Sequence, residues 1–201
     1  MTKPLPVYEL AVSEDPQSEL EVYAIAMVDK PAIEKTWFAF AENKDPWKFA
    51  AVGEDDKRIV VGPAMIPDMK IYRKDEEMGE FQVFFTADTI VSIAQKFFAK
   101  GNQGNANLMH DPEQTVDGVT YFMSWIKDSS KGMVGLEGEY PDGTWFVGAK
   151  VENDEVWGKI KAGEIQGFSV EGFFKYLKPA SATEEELMLQ KIKELLNGTK
   201  G

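Results

Sequence analysis

The chain has 201 residues, of which 43% are hydrophobic and 12% aromatic, so it is long and apolar enough to fold around a core. Its 34 acidic and 22 basic residues give a net charge of −12, which disfavours nucleic acid or an anionic membrane as the main partner because both would repel it. The lack of cysteine and the single histidine exclude disulfides, thiol catalysis and multi-histidine metal sites, and we expect no cofactor or metal.

The first part of the chain is predicted to form strands joined by polar turns. Residues 20–28 and 58–66 are rich in β-branched and apolar side chains, which is typical of strands. The second of these contains Gly62-Pro63, and because proline cannot donate to a ladder, this strand should be bulged or lie at an edge. Residues 70–73 and 80–86 are predicted to be two further strands joined by a charged turn.

The hydrophobic period then changes from that of a strand to that of a helix. Apolar side chains from Ile90 to Phe98 recur at helical spacing, with Thr86 as the N-cap and Gly101 as the stop. The remaining elements are predicted to be a short extended piece over 105–110, strands over 119–126, 144–151 and 165–177, and helices over 153–162 and 183–196.

Along most of the sequence, one predicted strand is therefore followed by another, and the predicted helices come late in the chain. This order favours an α+β fold over a doubly wound sheet, and we expect a mostly antiparallel β-barrel of about seven strands decorated by helices, because closure removes exposed edges. The barrel is assigned to residues 1–180, and an amphipathic C-terminal helix and tail to residues 181–201. This helix should pack on the barrel or pair with a second copy, giving a homodimer.

Two side chains stand out as candidates for chemistry. His110 is the only histidine, and histidine is the side chain best suited to general-base work near neutral pH. Ser169 lies in a strand whose alternation assigns Phe168 and Val170 to the core face, so the serine faces the other side between Gly167 and Glu171. A serine held on a rigid strand beside a glycine suits a nucleophile.

The base that would activate Ser169 is His110 or, as an alternative, Lys150 or Lys175. No nucleophile-elbow, Walker or HExxH motif is present. Carboxylate pairs such as Asp55-Asp56 and Glu76-Glu77 lie in charged, turn-like runs and are interpreted as solvated surface.

Three stretches together resemble the XkdF-like phage prohead (capsid maturation) serine proteases. They are residues 102–111 (NQGNANLMHD), 143–163 (GTWFVGAKVENDEVWGKIKAG) and 165–174 (IQGFSVEGFF). Each is weak alone, but the order, with a helix before the histidine and a tryptophan-bearing helix before Gly-Phe-Ser, is fairly specific. The likeness extends from about Tyr23 to Leu177.

The resemblance implies a herpesvirus-assemblin-like barrel in which His110 is the general base and Ser169 the nucleophile. It also implies a phage prohead maturation endopeptidase that works in the host cytoplasm, inside the prohead. Its substrates would be segments of the phage scaffold and major capsid protein, and of the protease itself.

The third catalytic residue is left open by the sequence. With no second histidine, a triad needs a carboxylate, and Glu171 is preferred because it shares a strand face with Ser169. Asp111 is the second choice, and a Ser–His dyad the third. The position before the Ser-Trp pair, where the family often has a carboxylate, is Met123 here.

Two functions without proteolysis are weighed beside the enzyme. One is a catalytically inactive scaffold or capsid-associated structural module that retains the protease-like barrel. The other is a barrel that binds a small ligand between its tryptophans. No motif orders those tryptophans into a site.

Overall fold

The computed structural model describes residues 5–13, 15, 18–29, 50, 51, 57–136 and 139–177. Its strands are β1 (Val7–Ala11), β2 (Val22–Val28), β3 (Ala50–Ala51), β4 (Ile59–Met65), β5 (Ile71–Asp75), β6 (Gly79–Phe84), β7 (Ala106–Leu108), β8 (Asp111–Thr115), β9 (Val119–Ile126), β10 (Trp145–Val151), β11 (Gly167–Gly172) and β12 (Lys175–Tyr176). Its helices are α1 (Ala87–Ala99) and α2 (Asp154–Lys161).

The strands form three four-stranded sheets. Their orders are β12-β1-β6-β5, β3-β4-β10-β9 and β11-β2-β7-β8. Seven of the nine strand pairings among the described residues are antiparallel, and β1–β6 and β2–β7 are parallel. The fold is therefore mixed α+β and mostly antiparallel, as expected.

The predicted closed barrel is wrong. Each sheet ends in two edge strands, and the hydrogen-bonded ladders among the described residues do not join into a continuous ring. The edges are instead kept short or irregular. β3 and β12 have two residues each, and β8 pairs with β7 across a register shift. Short and irregular edges limit strand addition without closure.

The long predicted elements are confirmed. Thr86 caps α1 by accepting a hydrogen bond from the Thr89 amide, and Asn153 caps α2 by accepting from Val156 at 3.0 Å. The strand carrying Gly62-Pro63 is bulged, since its register against β10 shifts between Trp145 and Phe146. The predicted last strand is broken in two, since residues 173 and 174 belong to neither β11 nor β12 and the two strands lie in different sheets.

The sequence pattern did not predict four of the short strands as separate elements, namely β1, β3, β8 and β12. The predicted C-terminal helix lies outside the described residues. The division at residue 180 therefore stays a prediction, and so does the choice between packing on the domain and pairing with a second copy. No helix in the described ranges is both long and apolar enough to cross a membrane.

An aromatic cluster lies behind the strand that carries Ser169. Phe168 is fully buried against Tyr121, with ring centroids 5.7 Å apart, and Phe97 of α1 contacts both Tyr121 and Trp145. The Tyr121 hydroxyl donates a 2.8 Å hydrogen bond to the carbonyl of Ile25 on β2. This packing fixes β11 and β2 against the core. The side chains on the opposite face of these two strands are therefore attached to a rigid backbone.

Candidate active site

β11 has two chemically different faces. Phe168 belongs to the core and Val170 packs against it, whereas Ser169 and Glu171 alternate onto the opposite face. Ser169 is 5% exposed. The strand thus presents a hydroxyl and, two residues on, a carboxylate about 6.6 Å further along the same face.

The pairing register extends this face across three strands. Ser169 lies opposite Ala26 of β2, and Ala26 lies opposite Asn107 of β7. Residues directly opposite each other in a sheet project to the same side. Ser169, Ala26 and Asn107 therefore form one row, with a methyl group between two polar side chains.

His110 lies in the two-residue turn that joins β7 to β8. Leu108 pairs with Asp111, and the two residues between them, Met109 and His110, have φ of 54° and 59°. Positive φ at both central positions is the type I′ pattern, which normally selects Asn-Gly. Side chains other than glycine cost about 1–2 kcal/mol each in this region, so the turn is locally strained.

The histidine and the carboxylate of the β11 face are in contact. His110 Nδ1 lies 2.8 Å from Glu171 Oε1. The Glu171 side chain is 10% exposed and the His110 side chain 43% exposed. Because a carboxylate can only accept, Nδ1 carries the hydrogen, and in the neutral ring Nε2 is left as the acceptor. This is the tautomer that a general base needs.

Ser169 and His110 come to the same face without a hydrogen bond between them. No hydrogen bond joins Ser169 Oγ to the imidazole among the described residues, although the sequence predicted a separation of about 2.6–3.2 Å or somewhat more. The structure therefore brings His110 to Glu171 and places Glu171 beside Ser169, leaving the nucleophile–base contact unmade. Such contacts are often long without substrate.

The competing candidates lie elsewhere. Asp111 adjoins His110 in the chain, but its carboxylate accepts from the Glu113 amide and from Gln114 Nε2, which together hold the Asp111 pKa below its usual value. Lys150 lies on β10 in another sheet, and its Nζ donates to the Lys57 carbonyl. Met123 is on β9, also in that sheet.

Tyr23 is a site residue that sequence reasoning missed. Burial first, and then the charge of Glu171 and a hydrogen bond to it, raise the pKa of the Tyr23 phenol. Its ring packs on Phe173, with centroids 5.5 Å apart. In the sequence Tyr23 is one aromatic residue of an apolar strand, and nothing there indicates that its hydroxyl reaches a carboxylate.

Metal ligation has no support within the described ranges, where no group of three or more His, Cys, Asp or Glu side chains is placed to hold an ion. The arrangement suits acid–base and nucleophilic chemistry by Ser169, His110 and Glu171 themselves. Such groups can hydrolyse an acyl bond.

Comparison with known proteins finds one family and one curated relative. The model of the family described as "Putative phage serine protease XkdF" matches residues 48–178, which include all three side chains. The chain is also 28% identical over 185 residues to "Uncharacterized protein YqbD" of Bacillus subtilis (strain 168), covering 87% of this chain and 53% of the relative. The chain thus spans about half the length of the curated relative it matches. No solved structure matches it.

Proposed function

Because the chain belongs to the family described as "Putative phage serine protease XkdF", we propose that it is a serine endopeptidase in which Ser169 is the nucleophile, His110 the general base and Glu171 the residue that orients the base. The observation that carries this proposal is the 2.8 Å contact between His110 Nδ1 and Glu171 Oε1, made by a carboxylate that shares a strand face with Ser169. It fixes the imidazole with Nε2 free to take a proton.

The reaction runs in two halves. Nε2 of His110 takes the Ser169 Oγ proton as Oγ bonds to the peptide carbonyl carbon, and the imidazolium then gives that proton to the departing amine as the C–N bond breaks. Water next attacks the acyl-serine, losing a proton to Nε2, and the imidazolium returns that proton to Ser169 Oγ as the Oγ–C bond breaks and the carboxylic acid is released. Glu171 stays ionised throughout and stabilises the imidazolium.

Substrates and place of action follow from the resemblance to prohead proteases. We propose that the enzyme cuts segments of the phage scaffold and major capsid protein, and itself, inside the prohead in the host cytoplasm. The acidic balance of −12 supports action on protein rather than on nucleic acid. The test is co-expression with those two proteins, with cleavage products followed by mass spectrometry.

The site itself is tested by a fluorophosphonate probe, which reacts with an activated serine without needing a known substrate. We expect labelling confined to Ser169 and its loss in Ser169→Ala and His110→Ala, with unchanged unfolding midpoints. Loss of either group of a catalytic unit costs about 10⁶ in rate. Parental rates of substrate cleavage in Ser169→Ala would refute the assignment.

A second candidate is a capsid-associated structural module that retains the domain without catalysis. The observations that favour it are the burial of Ser169 and its missing hydrogen bond to His110. If purified protein and assembling proheads both fail to label at Ser169, the structural module is the better description. If labelling appears only in proheads, assembly completes an enzyme.

A further inference from the structure

Asn107 is a buried amide that the proposed mechanism does not use. It is 4% exposed, and its Oδ1 has no hydrogen-bond partner. A buried polar atom without a partner is destabilising and therefore rare, and a functional role is one of the reasons for which such an atom is kept. Only two other polar or charged side chains in the described ranges are buried, and Ser169 is one of them.

The position of Asn107 points to the reaction centre. It lies in the same row as Ser169, two strands away, which corresponds to about 9.6 Å between their Cα atoms. Its neighbours on β7, Ala106 and Leu108, belong to the core, so Asn107 is the residue of this strand that projects to the Ser169 face. Ala26 lies between them in the row and is itself fully buried.

We propose that Asn107 is a substrate-positioning residue whose Oδ1 accepts a hydrogen bond from a backbone N–H of the peptide being cleaved. This inference rests on the proposed function. Measured along the row, the spacing fits an extended peptide lying over Ala26 once the atoms that now bury this row are displaced. A carbonyl carbon about 3 Å from Ser169 Oγ and an N–H about 2.9 Å from Asn107 Oδ1 leave about one residue of extended chain between them.

The chemistry of the amide also suits a main-chain ligand. A neutral acceptor in a dry site bonds an amide N–H without the desolvation penalty of a charge. Every peptide offers such a donor at every residue except proline, so recognition of this kind orients the chain without selecting side chains. Asn107 therefore fixes the direction and register of the substrate, while His110 and Glu171 act on the proton.

The experiment uses covalent probes, so no natural substrate is needed. An acetyl-trialanyl diphenyl phosphonate reacts with the serine while presenting backbone N–H groups, and analogues with one amide replaced by an ester lack one N–H each. A small ethoxy fluorophosphonate presents none. Second-order labelling rates at Ser169 are measured for the full-length parent, Asn107→Leu and Asn107→Ala.

We expect the fluorophosphonate rate to stay within about twofold in both variants and the peptidyl phosphonate rate to fall about 10- to 100-fold. One ester analogue should react about tenfold more slowly than the amide with the parent but equally fast with the variants. Gln103→Leu, which removes a half-buried amide whose Nε2 already donates to the Phe98 carbonyl, is the matched control.

Three results would overturn the inference. The first is an ester effect that is the same in parent and variants, and the second is a peptidyl rate unaffected by Asn107→Leu. The third is a large drop in unfolding midpoint in both variants, since an amide without a partner should be replaceable at little cost. Failure of the parent to react with fluorophosphonate both in solution and in assembling proheads would instead count against the proposed function, so the two failures are distinguishable.

Discussion

Glu171→Gln is the substitution that bears most directly on how His110 is held. The amide has nearly the shape of the carboxylate, so the 2.8 Å contact with Nδ1 can persist. However, a glutamine can present its NH₂ to Nδ1, which stabilises the tautomer with hydrogen on Nε2, and that tautomer cannot accept the serine proton. The negative charge beside the imidazolium is also lost.

The size of the effect follows from the exposure of the pair. The equivalent carboxylate-to-amide change in a serine protease triad lowers kcat about 10⁴-fold. Here the imidazole is 43% exposed, so water can solvate part of the charge that Glu171 would otherwise balance. We therefore expect a loss of about 10²- to 10³-fold in labelling and cleavage rates, equivalent to about 2.7–4.1 kcal/mol of transition-state stabilisation.

The assay is the rate of fluorophosphonate labelling at Ser169, followed by intact mass, with cleavage of co-expressed capsid proteins as the second readout. Asp111→Asn is the matched control, because that carboxylate adjoins His110 in sequence but bonds to Glu113 and Gln114. It should label within about twofold of the parent once folding is verified. A Glu171→Gln variant with the parental rate, or an Asp111→Asn variant with the larger loss, would refute the orienting role of Glu171.

Three further predictions concern the scaffold of the site. Gly172→Ala should destabilise the fold by about 1–3 kcal/mol in urea unfolding, because a methyl group there overlaps the Glu21 carbonyl. Gly158→Ala, in the interior of α2 where the space is open, should instead stabilise the fold by up to about 1 kcal/mol, and effects of the same sign would contradict this packing. Tyr121→Phe should cost about 1–2 kcal/mol by leaving the Ile25 carbonyl without its 2.8 Å donor, and a neutral result in the same assay would show that water replaces it. Hydrogen bonds from Lys131 and Ser130 lower the Asp128 pKa to about 2. The ionised carboxylate therefore stabilises the folded state above about pH 4, and this stabilisation is lost as the pH falls towards 2. The difference in unfolding free energy between the parent and Asp128→Asn should shrink over that range, and a constant difference would exclude this linkage.

Sequence pattern predicted the long elements because their signals are local. The first helix has a capping threonine and an apolar stripe, and β11 has strict alternation that placed Ser169 and Glu171 on one face before any pairing was known. The preference for Glu171 over Asp111 as the partner of His110 depended on that alternation, and the contact between Glu171 and His110 is present in the structure. The catalytic roles of these residues remain predictions.

What the pattern could not predict depends on which strands meet. Whether a sheet closes into a barrel depends on pairings between distant segments, which a local pattern does not show. The predicted barrel of about seven strands is therefore wrong, and the strands form three separate sheets. Asn107 looked like an ordinary polar residue in a short extended piece until its register with Ala26 put it in the row of Ser169. The Met109-His110 turn breaks the usual residue preference for its backbone, and so gave no turn signal.

The pairing of β11 with β2 has a consequence for the timing of activity during synthesis. The nucleophile lies on β11, and the strand that holds it in register is β2, about 140 residues earlier in the chain, so most of the described domain must leave the ribosome before the two can pair. A nascent chain that ends before Gly167 contains His110 but neither Ser169 nor Glu171. On the proposed mechanism, a growing chain therefore has no proteolytic activity of its own until β11 has been translated and has paired with β2.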